Sequence, residues 1–132
     1  MTDIFGSCGK QGDPIFWGKL PFNYIWVYMA LCIESDHLEK VQRILALHFE
    51  GMEVWAHGAR VSGVDLTPDT ELELVVISEK PLSFEVMTAI EKAFVDSGLP
   101  FRVDVIDWAK LPESLQKQIK KEHEVVQSAA ES

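Results

Sequence analysis

Cysteine is nearly missing from this chain of 132 residues; only Cys8 and Cys32 occur. Two cysteines at that separation make neither a zinc-binding pattern nor a C-x-x-C redox pair. The expectation is two reduced thiols in a cytoplasmic protein, where disulfides are rare. Positive charge is also scarce, with 12 Lys and Arg against 21 Asp and Glu and a net charge of −9. Nucleic-acid binding needs Lys and Arg patches to neutralise phosphates, so none is expected. Anionic membrane surfaces are disfavoured on the same ground. No apolar run is long enough to span a bilayer; the best, Tyr24–Ile33, stops at Asn23 on one side and Glu34 on the other. It is also a poor secretory signal, because Asp3 precedes it and no small-residue cleavage site follows.

The first 28 residues lack Glu and Arg altogether, yet hold seven of the thirteen aromatics. Gly6, Gly9, Gly12, Pro14, Gly18 and Pro21 break this stretch too often for a long helix or strand. Residues 1–28 are therefore expected to be an irregular extension, with one short apolar element over Tyr24–Ile33 docking on the body. Met29 stands at the boundary and is a candidate start of the natural chain. Residues 29–127 read as a single domain and 128–132 as a frayed tail.

The body alternates between helical and extended patterns. Asp36 followed by Glu39 has capping-box spacing, and Leu38, Val41, Leu45 and Phe49 follow at helical intervals. A helix is predicted over 36–49, a strand over 52–57, a loop over 58–69 and a second strand over 71–77. Ser83 caps a second helix, which Gly98 and Pro100 end. A third strand covers 102–106. A third helix starts at Pro112 and carries Leu115, Ile119 and Val126 on one face. The order α-β-β-α-β-α implies an α/β (α+β) two-layer sandwich, a small mixed sheet with helices packed on one face.

Chemistry concentrates between Val54 and Ile77. Gly58 follows a strand, where a glycine turn lets a phosphate approach backbone N–H groups. Alone, such a glycine is more often a plain turn. Glu71 and Glu73 alternate with Leu72 and Leu74, so both carboxylates share one strand face. That face is either a solvated acidic side or part of a metal site. Asp104 lies between Val103 and Val105; if its strand pairs beside the second, it joins the two glutamates. Three carboxylates there would suit Mg²⁺, which takes oxygen ligands together with nucleotide phosphates. Asp107 reads better as a cap at the strand end. His57 reads as a packing or hydrogen-bonding residue, Arg60 as a solvated loop cation or phosphate contact, and Trp55 and Trp108 as core or edge-of-core aromatics.

In order along the chain, Gly58-Ala59-Arg60, Gly63, Pro68-Asp69, Thr70-Glu71-Leu72-Glu73-Leu74 and Asp104 within VDVIDW resemble the minimal nucleotidyltransferases of the polymerase-β superfamily. The resemblance spans about Ser35 to Val126. It implies that Gly58, Ala59 and Arg60 form the nucleotide-binding turn, and that Glu71, Glu73 and Asp104 are catalytic metal ligands for Mg²⁺. It implies ATP as substrate, transfer of a nucleoside monophosphate to a hydroxyl, and a HEPN-type helical partner in a toxin–antitoxin pair. A homo-oligomer is also compatible with the sequence. The chain departs from the family pattern at three positions: Ala59 replaces Ser, and Glu71 and Glu73 replace Asp. The lost hydroxyl removes a hydrogen bond to a charged group, worth about 1.5–3 kcal/mol. Each longer side chain moves its carboxylate by about one C–C bond, roughly 1.5 Å. Two readings follow: a nucleotidyltransferase with a degenerate site, or an inactive module that binds a helical partner.

Overall fold

A computed structural model of the chain describes residues 31–129. The expected extension over 1–28 therefore lies outside the described residues, as does the end of the tail. Helix α1 (Ser35–His48) buries Leu38, Val41 and Leu45, the stripe expected from their spacing. Its N-cap is Glu34, with no side-chain cap, so Asp36 sits in the first turn instead of closing a capping box. There its negative charge still suits the positive end of the helix dipole.

Strand β1 (Glu53–His57) leads through the turn helix α2 (Ala59–Ser62) and a loop to β2 (Leu72–Ile77). Helix α3 (Phe84–Val95) begins at Ser83, whose hydroxyl accepts from the Val86 N–H, as its sequence position predicts. Strand β3 (Val103–Asp107) runs directly into a 3-10 turn (Trp108–Lys110). Asp107 caps that turn as expected. Its carboxylate also accepts from the Ser78 hydroxyl and, at 2.6 Å, from the Leu82 N–H.

Helix α4 (Glu113–Lys121) is shorter than the pattern predicts, because residues 124–127 form a fourth strand, β4 (Glu124–Gln127). Val126 keeps helical spacing from Ile119, which is why it read as helix. It instead lies in a strand paired antiparallel with the edge of β1. Gln127 fixes the pairing by donating to the carbonyls of Phe49 and Met52 at 2.8 and 2.9 Å. Two adjacent valines suit a strand, and an open sheet edge decides between the two conformations.

The sheet order is β3-β2-β1-β4, with β2–β3 parallel and the other pairs antiparallel. Val54, Ala56, Leu72, Leu74, Val76, Val103 and Val105 point to one face and form the main core with Leu38, Val41, Leu45, Ile90 and Phe94 of α1 and α3. The expected sandwich is thus present. Part of the opposite face is sheltered too: Trp55 stacks on His123 at 3.8 Å and meets Trp108 edge-on at 5.4 Å. The end of that face carrying Glu71, Glu73 and Asp104 is where the candidate site lies.

Cys32 is buried, and Cys8 lies outside the described residues. Among the described residues, no helix is long and apolar enough to cross a membrane.

Candidate functional site

The site starts where β1 ends. Gly58 has φ 91° and ψ −156°, a region open essentially to glycine alone. A Cβ at this position would lie 3.0 Å from both Cδ and Oε2 of Glu73. The glycine therefore lets backbone and carboxylate approach each other. What read as plain loop begins with α2, whose first turn is closed by N–H groups of Val61 and Ser62 bonding to the Gly58 carbonyl. The Ala59 N–H is the first of this turn and is not among the donors that close it. It is a backbone donor that a phosphate turn would use.

Arg60 behaves differently from a solvated loop cation. Its side chain is only 1% exposed and turns into the protein. The guanidinium donates to the carbonyls of Thr70 at 2.8 Å, Cys32 at 2.9 Å and Pro68 at 3.1 Å. It also lies 4.2 Å above the Phe101 ring. Burial pushes its pKa down, opposed by the fields of Asp69 and Glu34. A guanidinium with its donors spent on carbonyls anchors the loop rather than reaching out to a ligand. Because Thr70 immediately precedes Glu71, the anchor sets where β2 enters the sheet. Sequence gave no signal of this, since its partners are backbone groups scattered along the chain.

The carboxylates lie on two neighbouring strands, with His57 continuing the row onto a third. His57 pairs with Glu73 in β1–β2, and Glu73 pairs with Asp104 in β2–β3. Glu71 lies on the same face, two residues before Glu73. Strand parity and the parallel pairing thus bring together the three carboxylates that the sequence singled out. Their mutual repulsion is visible in their proton affinities. Asp104, by its charge and a hydrogen bond, raises the pKa of Glu71, while burial and then Asp104 raise that of Glu73.

Two further side chains attend this row. Arg102 grips Asp104 through two bonds, Nε–Oδ1 at 2.9 Å and Nη2–Oδ2 at 3.2 Å, and its Nη2 lies 3.7 Å from Oε1 of Glu71. Sequence reading missed it, although positions 102 and 104 have the parity of one strand face. His57 Nε2 is buried with no hydrogen-bond partner and lies 3.5 Å from Oε1 of Glu73. Burial lowers its pKa, which favours the neutral ring.

Divalent metal binding can be tested against this donor set. Three carboxylates on one face, beside a glycine that leaves room against Glu73, are the hard oxygen ligands that Mg²⁺ takes. The residues fit such an ion in kind. As the side chains stand, however, the three do not all bring an oxygen within 4.8 Å of the others. Among the described residues that distance is met by Glu34, Asp36 and His37 at the start of α1. Two clefts of about 420 Å³ flank the row. One is lined by His57, Gly58, Leu115, Gln118, Ile119 and Lys121, the other by Val95, Arg102, Asp104 and Val105 along the edge of β3.

No family model matches the chain. Three solved structures share its fold. One is the crystal structure of a toxin–antitoxin with AMP-PNP (TM-score 0.58, 14% identity, 70% of this chain and 73% of that one). The second is the toxin–antitoxin MntA–HepT (TM-score 0.54, 12% identity, 73% and 74%). The third is a mutant of such an assembly with two aspartate-to-glutamate changes two residues apart (TM-score 0.57, 16% identity, 70% and 73%). A curated relative, the probable protein adenylyltransferase MntA of Haemophilus influenzae, is 38% identical over 100 residues, covering 76% of this chain and 87% of the relative. With a relative of that identity and coverage, and the fold of those assemblies around a glycine turn and a carboxylate row, the chain belongs to the minimal nucleotidyltransferase family.

Proposed function

We propose that this protein transfers AMP from ATP to a hydroxyl of a protein partner, as the antitoxin of a HEPN-type toxin–antitoxin pair, through a weakened active site. The observation that carries the reading is the Glu73–Asp104 register pair, with Glu71 on the same face and the Gly58 turn against Glu73. The names of the relative and of the solved assemblies support the substrate and the partner. In the reaction the acceptor oxygen bonds to the α-phosphorus, the α–β anhydride bond breaks, and pyrophosphate leaves while the hydroxyl proton passes to solvent or base.

Glu71, Glu73 and Asp104 would hold Mg²⁺, which when bound supplies positive charge to the phosphates and to the charge that develops as they separate. The backbone N–H of Ala59 at the glycine turn orients phosphate oxygens. The cleft between Gly58 and α4 has the volume of a small-ligand pocket and offers the nucleoside an apolar wall at Leu115 and Ile119. Arg60 holds the loop before Glu71 in place. A cytoplasmic location follows from this role.

The site is weakened because Ala59 lacks the hydroxyl of the family's serine, and both glutamates extend beyond the family's aspartates. A metal site demands near-ideal geometry, and a misplacement of about 1 Å can cost roughly a hundredfold in rate. The second reading, an inactive module that binds its helical partner, is favoured by one observation. Arg102 pairs with two of the three carboxylates and offsets part of their charge.

Calorimetric titration with MgATP, followed by incubation with labelled ATP and the product of the neighbouring gene, separates the two. Binding and label on the partner are expected. Absence of both, with partner binding intact, would establish the inactive module.

A further inference from the structure

We propose that Arg102 is an exchangeable internal counter-ion of the carboxylate row, competing with the divalent cation for Asp104 and Glu71 and so setting the affinity of the site. The inference rests on the reading of these carboxylates as a cation site. It goes beyond that reading by assigning a role to a residue outside the motif.

Three observations lead to it. The first is placement. Leu72 N–H bonds to the Arg102 carbonyl at 2.8 Å, which seats Arg102 beside the first residues of β2, with its side chain on the carboxylate face. The second is geometry. The guanidinium engages both oxygens of Asp104 and approaches one of Glu71, so it holds oxygens of two of the three proposed ligands. A cation at the row would compete for those oxygens. The third is exposure. The Arg102 side chain is 72% exposed on a flexible stem, so nothing buried is broken when it swings out. Arg60 is the opposite case, buried and spent on backbone carbonyls, and could not act this way.

Electrostatics gives the exchange its direction. Both carboxylates face the charged guanidinium, Asp104 at 2.9 Å and Glu71 at 3.7 Å. An exposed pair of this kind is a weak bond. A divalent ion with oxygen ligands on three sides attracts the same carboxylates more strongly and displaces the guanidinium. Until then Arg102 limits the repulsion between Glu71 and Asp104. Its presence makes the site bind cation less tightly than three unopposed carboxylates would.

The test uses the full chain and Mn²⁺ alone, without nucleotide, followed by calorimetry and by the loss of the free-ion EPR signal. Arg102→Met removes the charge and keeps an apolar stem of similar reach; Arg102→Lys keeps the charge. The expected result is a dissociation constant for Mn²⁺ about threefold to tenfold lower in Arg102→Met, with Arg102→Lys near the parent. A gain in affinity is diagnostic, because loss of a merely structural contact would weaken binding or leave it unchanged. Unchanged or weaker Mn²⁺ binding by Arg102→Met, in a protein with a native circular dichroism spectrum, overturns the proposal. So does an equal gain in Arg102→Lys. The outcome is separable from that of AMP transfer. Tighter Mn²⁺ binding without transfer to any partner leaves the counter-ion role standing and removes the enzymatic reading. Transfer with no gain in Arg102→Met does the reverse.

Discussion

Gly58 and Glu73 approach so closely that a Cβ on the former would sit 3.0 Å from the carboxylate of the latter. The backbone angle at Gly58 is itself closed to other residues, with φ 91° and ψ −156°. Gly58→Ala therefore meets two penalties at once. Holding a non-glycine residue in that region costs on the order of 1–3 kcal/mol. The displaced Glu73 adds to it and moves one candidate ligand. Urea denaturation should show a loss of about 1–3 kcal/mol, and cation binding should weaken in the same variant. Unchanged stability would mean that the turn relaxes into another conformation.

The Arg60 guanidinium separates an anchoring role from a nucleotide-binding one. It donates to three carbonyls while stacking over Phe101. Arg60→Ala leaves those acceptors unmet and opens a cavity, so a loss of about 2–4 kcal/mol is expected in thermal or chemical unfolding. Arg60→Lys should rescue only a small part, because an ammonium lacks the planar fork that reaches three separated oxygens. If Arg60→Lys were as stable as the parent, with nucleotide affinity alone reduced, the side chain would be a phosphate ligand.

Glu73 predicts an unusual pH dependence. Burial and Asp104 raise its pKa in the folded protein above the ordinary carboxylate value. In the window between those two values the native state binds more protons than the unfolded state. Stability therefore falls as pH rises through that window, and the penalty is complete above the raised value. Glu73→Gln removes the penalty. At pH 7 it should be more stable than the parent by a few tenths to about 1 kcal/mol, the scale of like charges facing each other across strands. The gain should vanish below the ordinary glutamate range, where the parent carboxyl is neutral in both states. Equal stability at pH 7 would show that His57, 3.5 Å away, offsets the repulsion.

Local pattern carried much of this structure. The stripe Leu38–Val41–Leu45 predicted α1, Ser83 predicted the start of α3, and the alternation Glu71-Leu72-Glu73-Leu74 put both carboxylates on one face. Placing Asp104 opposite Glu73 needed one assumption, that β3 pairs with β2. Features that depend on distant partners were not legible. The strand at Glu124–Gln127 forms because β1 has an edge to offer and Gln127 can reach two carbonyls near the end of α1. Arg60 is buried because carbonyls from 32, 68 and 70 converge on it. The grip of Arg102 on Asp104 and Glu71 is also a product of folding. Arg102 alone had a sequence cue, its parity with Asp104.

Restoring the family residues tests what the three departures do. Glu71→Asp and Glu73→Asp keep the charge while drawing each carboxylate back by about 1.5 Å, so any effect is geometric. The shorter side chain at 71 also reaches less far toward Arg102, loosening a contact that is 3.7 Å in the parent. Ala59→Ser returns a hydroxyl beside the backbone donors of the turn. Transfer of label from ATP to the partner should rise about a hundredfold or more in the triple variant, because reacting groups misplaced by about 1 Å lose about that much. The two aspartates should account for most of the gain, and Ala59→Ser alone for about tenfold or more through its bond to a charged oxygen. Folding stability should change little by comparison, since both carboxylate positions are partly exposed and Ala59 opens a turn. If the restored protein binds its partner but transfers no more label than the parent, those three positions are not what limits the chemistry. If neither protein transfers label, the chain acts through partner binding alone.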